Sequence, residues 1–160
     1  MRSRIRPTDI RILTYLRTHA RASLTAIAHA AGLPISTVHD RLKVIHELLI
    51  RQQVTLPRFP RLGYHIHCFT ALRVAAADRP VLQRYLEHCP NINNLFQINN
   101  GYDYLMETYF PQLTDFEKFL NVLSEKFRMK HVQAYYVIEQ LQSEQFLSTP
   151  AHLAVLQVQV

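Results

Sequence analysis

Ser23-Leu24-Thr25-Ala26-Ile27-Ala28-His29-Ala30-Ala31-Gly32-Leu33-Pro34-Ile35-Ser36-Thr37-Val38-His39-Asp40-Arg41-Leu42-Lys43-Val44-Ile45-His46 is the stretch on which the fold turns. Leu24, Ile27, Ala28 and Ala31 fall at i, i+3, i+4 and i+7, one narrow apolar stripe on a helix that Ser23 can cap. Gly32 stops that helix, because glycine enters the left-handed conformation without a Cβ penalty. A further helix follows, with Val38, Leu42 and Ile45 on its buried side and Ser36, Thr37, His39, Asp40, Lys43 and His46 facing outward. Ala28, Gly32 and Val38 supply what a helix-turn-helix needs: a small residue where two helices cross, a glycine in the turn, and an apolar anchor beyond it. Such a unit lays its second helix in the major groove of duplex DNA.

The flanks extend this reading. Ile10, Leu13 and Leu16, with Ile12 alongside, recur at helical spacing after Pro7, a residue suited to a first helical turn. On the other side, Ile50, Gln52, Val54 and Leu56 read as short strands of a wing with Arg51 at its start. Pro57, Arg58 and Pro60 then read as an extended hinge. Up to Arg61 the chain carries eleven basic and three acidic residues, net +8, whereas the remainder is −2 and the whole is +6. Charge segregated in this way is the footprint of a polyanion binder; a solvated basic face without a partner is the alternative. Ser36, Thr37, His39 and Lys43 are expected at base edges, with Arg41 and Arg51 on phosphates. Arg41 can equally pair with Glu47 or Asp40, and Asp40 can accept from a cytosine amino group or form a local salt bridge.

Beyond the hinge the pattern changes to strands and helices. Tyr64 to Val74 alternates, placing Ile66, Cys68, Thr70, Leu72 and Val74 on one face and His65, His67, Phe69, Ala71 and Arg73 on the other. Asp78-Arg79-Pro80 opens a helix with Val81, Leu82, Tyr85 and Leu86 inward, closed by Pro90. Two strands meet at Asn100-Gly101, a dipeptide suited to tight hairpin turns because both positions tolerate positive φ. Thr114-Asp115-Phe116-Glu117 has a capping-box pattern, and Phe116, Phe119, Leu120, Leu123 and Phe127 line one side of the helix behind it. A last strand covers about 131–140. The order strand-helix-strand-strand-helix-strand is that of a ferredoxin-like fold, so the chain is expected to be α+β, a winged helix-turn-helix domain followed by a βαββαβ domain. Phe69, Ala71, Leu105, Tyr109, Tyr135 and Val137 are candidates for the sheet face without helices; an apolar face left bare invites two-fold pairing. The expected organisation is 1–53 head, 54–63 hinge, 64–142 second domain and 143–160 tail, in which Leu153, Leu156, Val158 and Val160 alternate loosely.

Composition excludes several other classes. No apolar run is long enough for a membrane span, and the basic start leads into a polar segment rather than a secretory h-region, which predicts a cytoplasmic protein. Cys68 and Cys89 are too few for a disulfide framework and lack metal-ligand spacing; of nine histidines only His65 and His67 share a strand face, so no metal is expected. With glycine at three positions a phosphate-cradling P-loop is excluded, and no nucleophile–base pair or paired carboxylates suggest catalysis, so no enzyme and no cofactor are expected.

Asp9-Ile10-Arg11-Ile12-Leu13, Ala20-Arg21-Ala22-Ser23, Ile27-Ala28, Gly32-Leu33, Thr37-Val38 and Arg41-Leu42, followed by Leu62-Gly63-Tyr64 and Tyr102-Asp103-Tyr104-Leu105, resemble the Lrp/AsnC, or feast/famine, family of transcriptional regulators. The resemblance runs from about Arg6 to about Gln142. Pro34 stands where that family has a serine cap, so Ser36 is expected to cap a slightly shifted helix; no glycine ends that helix. Asn100 replaces a glycine in the family's hairpin turn and tolerates the left-handed region. The resemblance implies a sensor domain of the ACT/RAM kind, a homodimer that assembles further, commonly to an octamer, and double-stranded DNA as partner. It also implies an amino acid or related effector near Asn100, Gly101, Tyr102 and Asp103, with backbone N–H groups holding a carboxylate and Asp103 receiving an ammonium. The plainer alternative is that Asn100-Gly101 turns the chain and Asp103 satisfies local backbone donors. Sirohaem decarboxylases resemble the same two-domain layout, but the His-Asn-Tyr-x-Arg-like segment typical of them is here Leu95-Phe96-Gln97-Ile98-Asn99. A nonspecific DNA-organising protein is the remaining alternative, distinguished by salt-dependent binding with little sequence preference.

Overall fold

The structure, a computed structural model, describes residues 5–149. Among these, residues up to Thr55 and those from Leu141 onward form one compact unit, and Leu56–Gln140 form a second. The alternating apolar residues at 153–160 lie outside the described residues.

The first unit is built from three helices. In α1 (Pro7–Thr18) Pro7 occupies the first turn, and the Asp9 carboxylate accepts the Arg6 backbone N–H at 2.7 Å, satisfying a donor that a helix start leaves open. In α2 (Leu24–Ala31) Ser23 Oγ accepts the Ala26 N–H at 3.2 Å, and Gly32 ends the helix at φ 66°. α3 spans Ile35–Leu48. Ile12, Ile27, Ala28, Ala31, Val38 and Ile45 close the core between the three helices. The alanines keep α2 slender enough for close approach of its neighbours.

The second unit is a four-stranded antiparallel sheet in the order β2-β3-β1-β4, from β1 (Ile66–Val74), β2 (Ile92–Gln97), β3 (Tyr104–Phe110) and β4 (Met129–Tyr136). Its helices are α4 (Arg79–Glu87) and α5 (Leu113–Lys126). Leu72, Val74, Tyr104 and Met106 from the central strands pack with Leu82, Leu86, Leu123 and Phe127, and Cys68, Phe110 and Phe116 extend that layer. Both helices therefore cover one sheet face, as a ferredoxin-like order requires. Asn100 at φ 61° and Gly101 at φ 91° turn the chain between β2 and β3, both in the left-handed region that the Asn-Gly pair anticipates.

Several expectations are corrected. No strand forms between Leu49 and Arg58, so the described head is a helix-turn-helix without a β wing; Val54 and Leu56 are exposed. Gln52-Gln53 has no preference for a tight turn and Pro57 cannot donate to a ladder, so nothing there nucleates a hairpin. Ser36 caps nothing: α3 begins at Ile35 with Pro34 before it and no side-chain cap. The Thr114 capping box does not form either. α5 starts earlier, behind Gln112, where the seating of Phe116 against Cys68 and Phe110 sets the first turn. Val81 points to solvent, leaving Leu82 and Leu86 as the buried ridge of α4. Tyr64 lies before β1, closing a tight turn through its N–H to the Phe59 carbonyl, and β4 ends at Tyr136.

Candidate DNA-binding face and effector turn

Val38 and Ile45 of α3 are fully buried, which turns the opposite side of that helix to solvent. Ser36, His39, Asp40, Lys43 and His46 are exposed there, and Thr37 is half-buried at the flank. His39 Nδ1 lies 3.4 Å from Asp40 Oδ1, so the acidic residue on this face has a local partner. Lys43 extends from the middle of the helix, while Arg51 is exposed just beyond its end. Arg11 and Arg21 add exposed positive charge elsewhere on the same unit. The expected base-edge residues thus share one solvent-facing side of one helix, with cations around them.

Arg41 is the exception. Expected on a phosphate, or paired with Glu47 or Asp40, it instead turns back against α1: Nε donates to Asp9 Oδ1 at 2.6 Å and Nη2 to Asp9 Oδ2 at 2.5 Å. Asp9 is completely buried and the Arg41 side chain is only 11% exposed. Burial alone would raise the Asp9 carboxyl, but the bonds from Arg41 and the Arg6 N–H, with the adjacent guanidinium charge, hold it below the usual carboxylate range. The same pairing raises the Arg41 guanidinium further. At a helical advance of about 100° per residue, position 41 sits about 60° from Val38, at the edge of the buried stripe. An apolar periodicity count leaves such an edge position undecided. Asp9 lies 32 residues earlier, and no local pattern links the two.

Arg17 is also engaged within this unit. Its Nη2 donates to the Glu144 carbonyl at 2.8 Å and meets the Glu144 carboxylate at 3.0 Å, so the chain beyond β4 returns to α1. Ser148 is buried in the same segment and donates to the Gln145 carbonyl at 2.6 Å. The segment after α3 passes the far end of α1, where Val54 and Thr55 line a surface cavity of about 590 Å³ with Tyr15, His19 and Arg21.

In the second unit the Asn100-Gly101 turn is exposed. Tyr102 donates its hydroxyl to Gln133 and tilts against His131. Asp103 has local partners: Oδ2 accepts the Val74 N–H at 2.9 Å, and Oδ1 faces Arg79 Nη2 at 2.8 Å. Of the two readings for this residue, the structure displays the local one, with a half-exposed guanidinium next to it.

The sheet face without helices differs from the expected apolar surface. Phe69, Leu105 and Tyr109 are only half-buried, yet at the centre, across from Phe69, Glu107 is 7% exposed. Four donors converge on it: His67 Nε2 at 2.8 Å and Tyr109 OH at 3.2 Å on one oxygen, Asn93 and Asn94 Nδ2 at 2.9 and 2.5 Å on the other. The pairing of β2 with β3 shifts register between Ile92 and Asn94, a bulge that turns two consecutive amides toward one carboxylate. Burial raises the Glu107 carboxyl, and the donors together bring it below its ordinary value. Tyr109 is pushed up to about 12 by burial and by the neighbouring carboxylate. Among the described residues no cluster of three or more His, Cys, Asp or Glu is placed to hold a metal ion, and no helix is long and apolar enough to cross a membrane.

Residues 7–44 match the AsnC-type helix-turn-helix domain. Over 146 residues the chain is 22% identical to the glutamate uptake regulatory protein of Zymomonas mobilis, covering 89% of each chain. It is 26% identical over 124 residues to the helix-turn-helix-type transcriptional regulator FL11 of Pyrococcus abyssi, covering 77% of this chain and 82% of that one. A transcriptional regulator from Neisseria meningitidis, solved as its L-methionine complex, superposes with a TM-score of 0.80 at 21% identity, covering 88% of this chain and 94% of that one. The head thus matches the AsnC-type helix-turn-helix domain, and across both units the chain is similar to transcriptional regulators.

Proposed function

We propose that the protein is a non-enzymatic, sequence-selective regulator that reads duplex DNA with α3. The observation that carries this is the split of α3 into a side buried at Val38 and Ile45 and a side exposing Ser36, His39 and Lys43 within a strongly cationic segment. In this reading Ser36, Thr37, His39 and Lys43 approach base edges and Arg51 takes a phosphate. Two copies join through the helix-free sheet face, where Phe96 and Tyr135 are about half exposed, so that two heads engage half-sites about one helical turn apart. Further assembly, up to an octamer, and a cytoplasmic location belong to the same proposal.

The relative solved with L-methionine supports an amino-acid effector. We place it at the Asn100–Asp103 turn, where turn N–H groups and the half-exposed Arg79 offer a carboxylate donors, while Asp103 beside them offers an ammonium an acceptor. Effector control requires that it bind one assembly state better than another.

Selection of bound fragments from genomic DNA, with and without a panel of amino acids, tests both parts. A recurring pseudo-palindrome is expected, with enrichment altered by at least one amino acid. Retention of all fragments alike would indicate nonspecific DNA organisation, and no retention in dilute buffer would end the DNA reading altogether.

A further inference from the structure

The head's apolar core holds α3 along one line and on one flank of it. Val38 and Ile45 lie seven residues apart on nearly the same line of α3, and the partly buried Leu42 packs against the core on one side of that line. Rotation matters for base reading. A side-chain tip about 5–6 Å from the axis moves about 1 Å when the helix turns by about 10°. That is enough to lengthen a hydrogen bond to a base edge beyond use.

Arg41 supplies the missing constraint. Its planar fork meets Asp9 through two bonds, and Asp9 is itself fixed by the Arg6 N–H at 2.7 Å. Two parallel bonds define a plane as well as a distance, which an aliphatic contact does not. The fork leaves α3 from the flank of the stripe opposite to Leu42, so the helix is held on both sides of the Val38–Ile45 line. A buried ion pair is a poor source of net stability, since apolar residues of similar volume commonly do as well. Its direction is what those replacements lack.

We propose that Asp9 and Arg41 are positioning residues for base reading: the ion pair between α1 and α3 sets the rotation at which Ser36, His39 and Lys43 face the groove. This rests on the DNA-reading function proposed above. The pair touches no base. It acts through α3.

The test compares the full-length wild type with Asp9→Leu/Arg41→Met, which replaces the pair by apolar groups, and with Arg41→Lys, which keeps the charge against Asp9 but loses the fork. Each is incubated with a random-sequence duplex library, the selected motif is determined, and affinity is measured for that motif and for a scrambled duplex across salt concentrations. Thermal melting and circular dichroism report the fold. Both variants are expected to bind scrambled DNA as the wild type does, with the same salt slope. Their preference for the motif over scrambled DNA should fall by about tenfold, the discrimination of roughly one base pair. A merely structural role would lower the melting temperature and leave this ratio alone. If either folded variant keeps the wild-type motif and ratio, the positioning role is overturned while DNA reading stands. A wild type that selects no motif removes both.

Discussion

Among the described residues two carboxylates are buried, one in each unit, and they are satisfied by opposite means. Asp9 in the head faces a guanidinium, a permanent positive charge in a fixed fork. Glu107 on the open sheet face is held by two amides, a phenol and an imidazole, so its charge is spread over four weaker donors from three strands. The first arrangement ties two helices at one point. The second ties an edge strand, through its bulge, to the middle of the sheet. A single strong partner leaves a large deficit when removed, whereas a shared network loses its members piecemeal.

That contrast orders the expected effects of substitution. Arg41→Ala leaves the Asp9 carboxylate buried without its charge partner and should destabilise the head by about 3–5 kcal/mol, read as a lowered urea midpoint. Glu107→Gln keeps the shape but turns an amide donor toward Asn93 and Asn94, and should cost about 1–3 kcal/mol. Equal losses for the two substitutions would show that donor count, not partner charge, governs both sites. Arg17→Ala breaks an exposed pair and should change stability by no more than about 1 kcal/mol, while making the segment around Glu144 easier to cleave by protease.

Acid separates the two sites further. Both carboxyls ionise below their ordinary range in the folded chain, so the unfolded chain binds more protons there and stability rises with pH. Their contribution is complete above the unfolded carboxylate value of about 4 and is lost as pH falls through the lowered folded values. In Asp9→Leu/Arg41→Met the urea midpoint should decline less steeply with acid than in the wild type. An unchanged slope would mean that Asp9 is not held ionised by Arg41.

What the sequence discloses depends on the range of the interaction that decides it. Ser23, Gly32 and the Asn100-Gly101 pair act on their own backbone, so their roles are readable from a few neighbours, and the structure places each as expected. The order of strands and helices is equally legible, because alternation and helical periodicity are set by burial of one face. Arg41 with Asp9 and Glu107 with His67 join residues 32 and 40 positions apart, and no periodicity marks them. Charge alone is a poor guide here: Arg41 and Arg17 count toward the basic head, yet both face carboxylates within it. The absence of the expected wing has a related cause. β-favouring residues at 50–56 specify an extended chain, but a strand needs a partner, and the described chain offers none beside them.

The most direct test of the central claim uses exposed residues whose removal leaves the core untouched. Ser36→Ala, His39→Ala and Lys43→Ala, combined in one full-length variant, should melt as the wild type does. Fluorescence anisotropy with a selected motif and a scrambled duplex should then show the preference for the motif lost, while scrambled DNA is bound nearly as before. A triple variant that still prefers the motif as strongly as the wild type would contradict the assignment of base reading to α3.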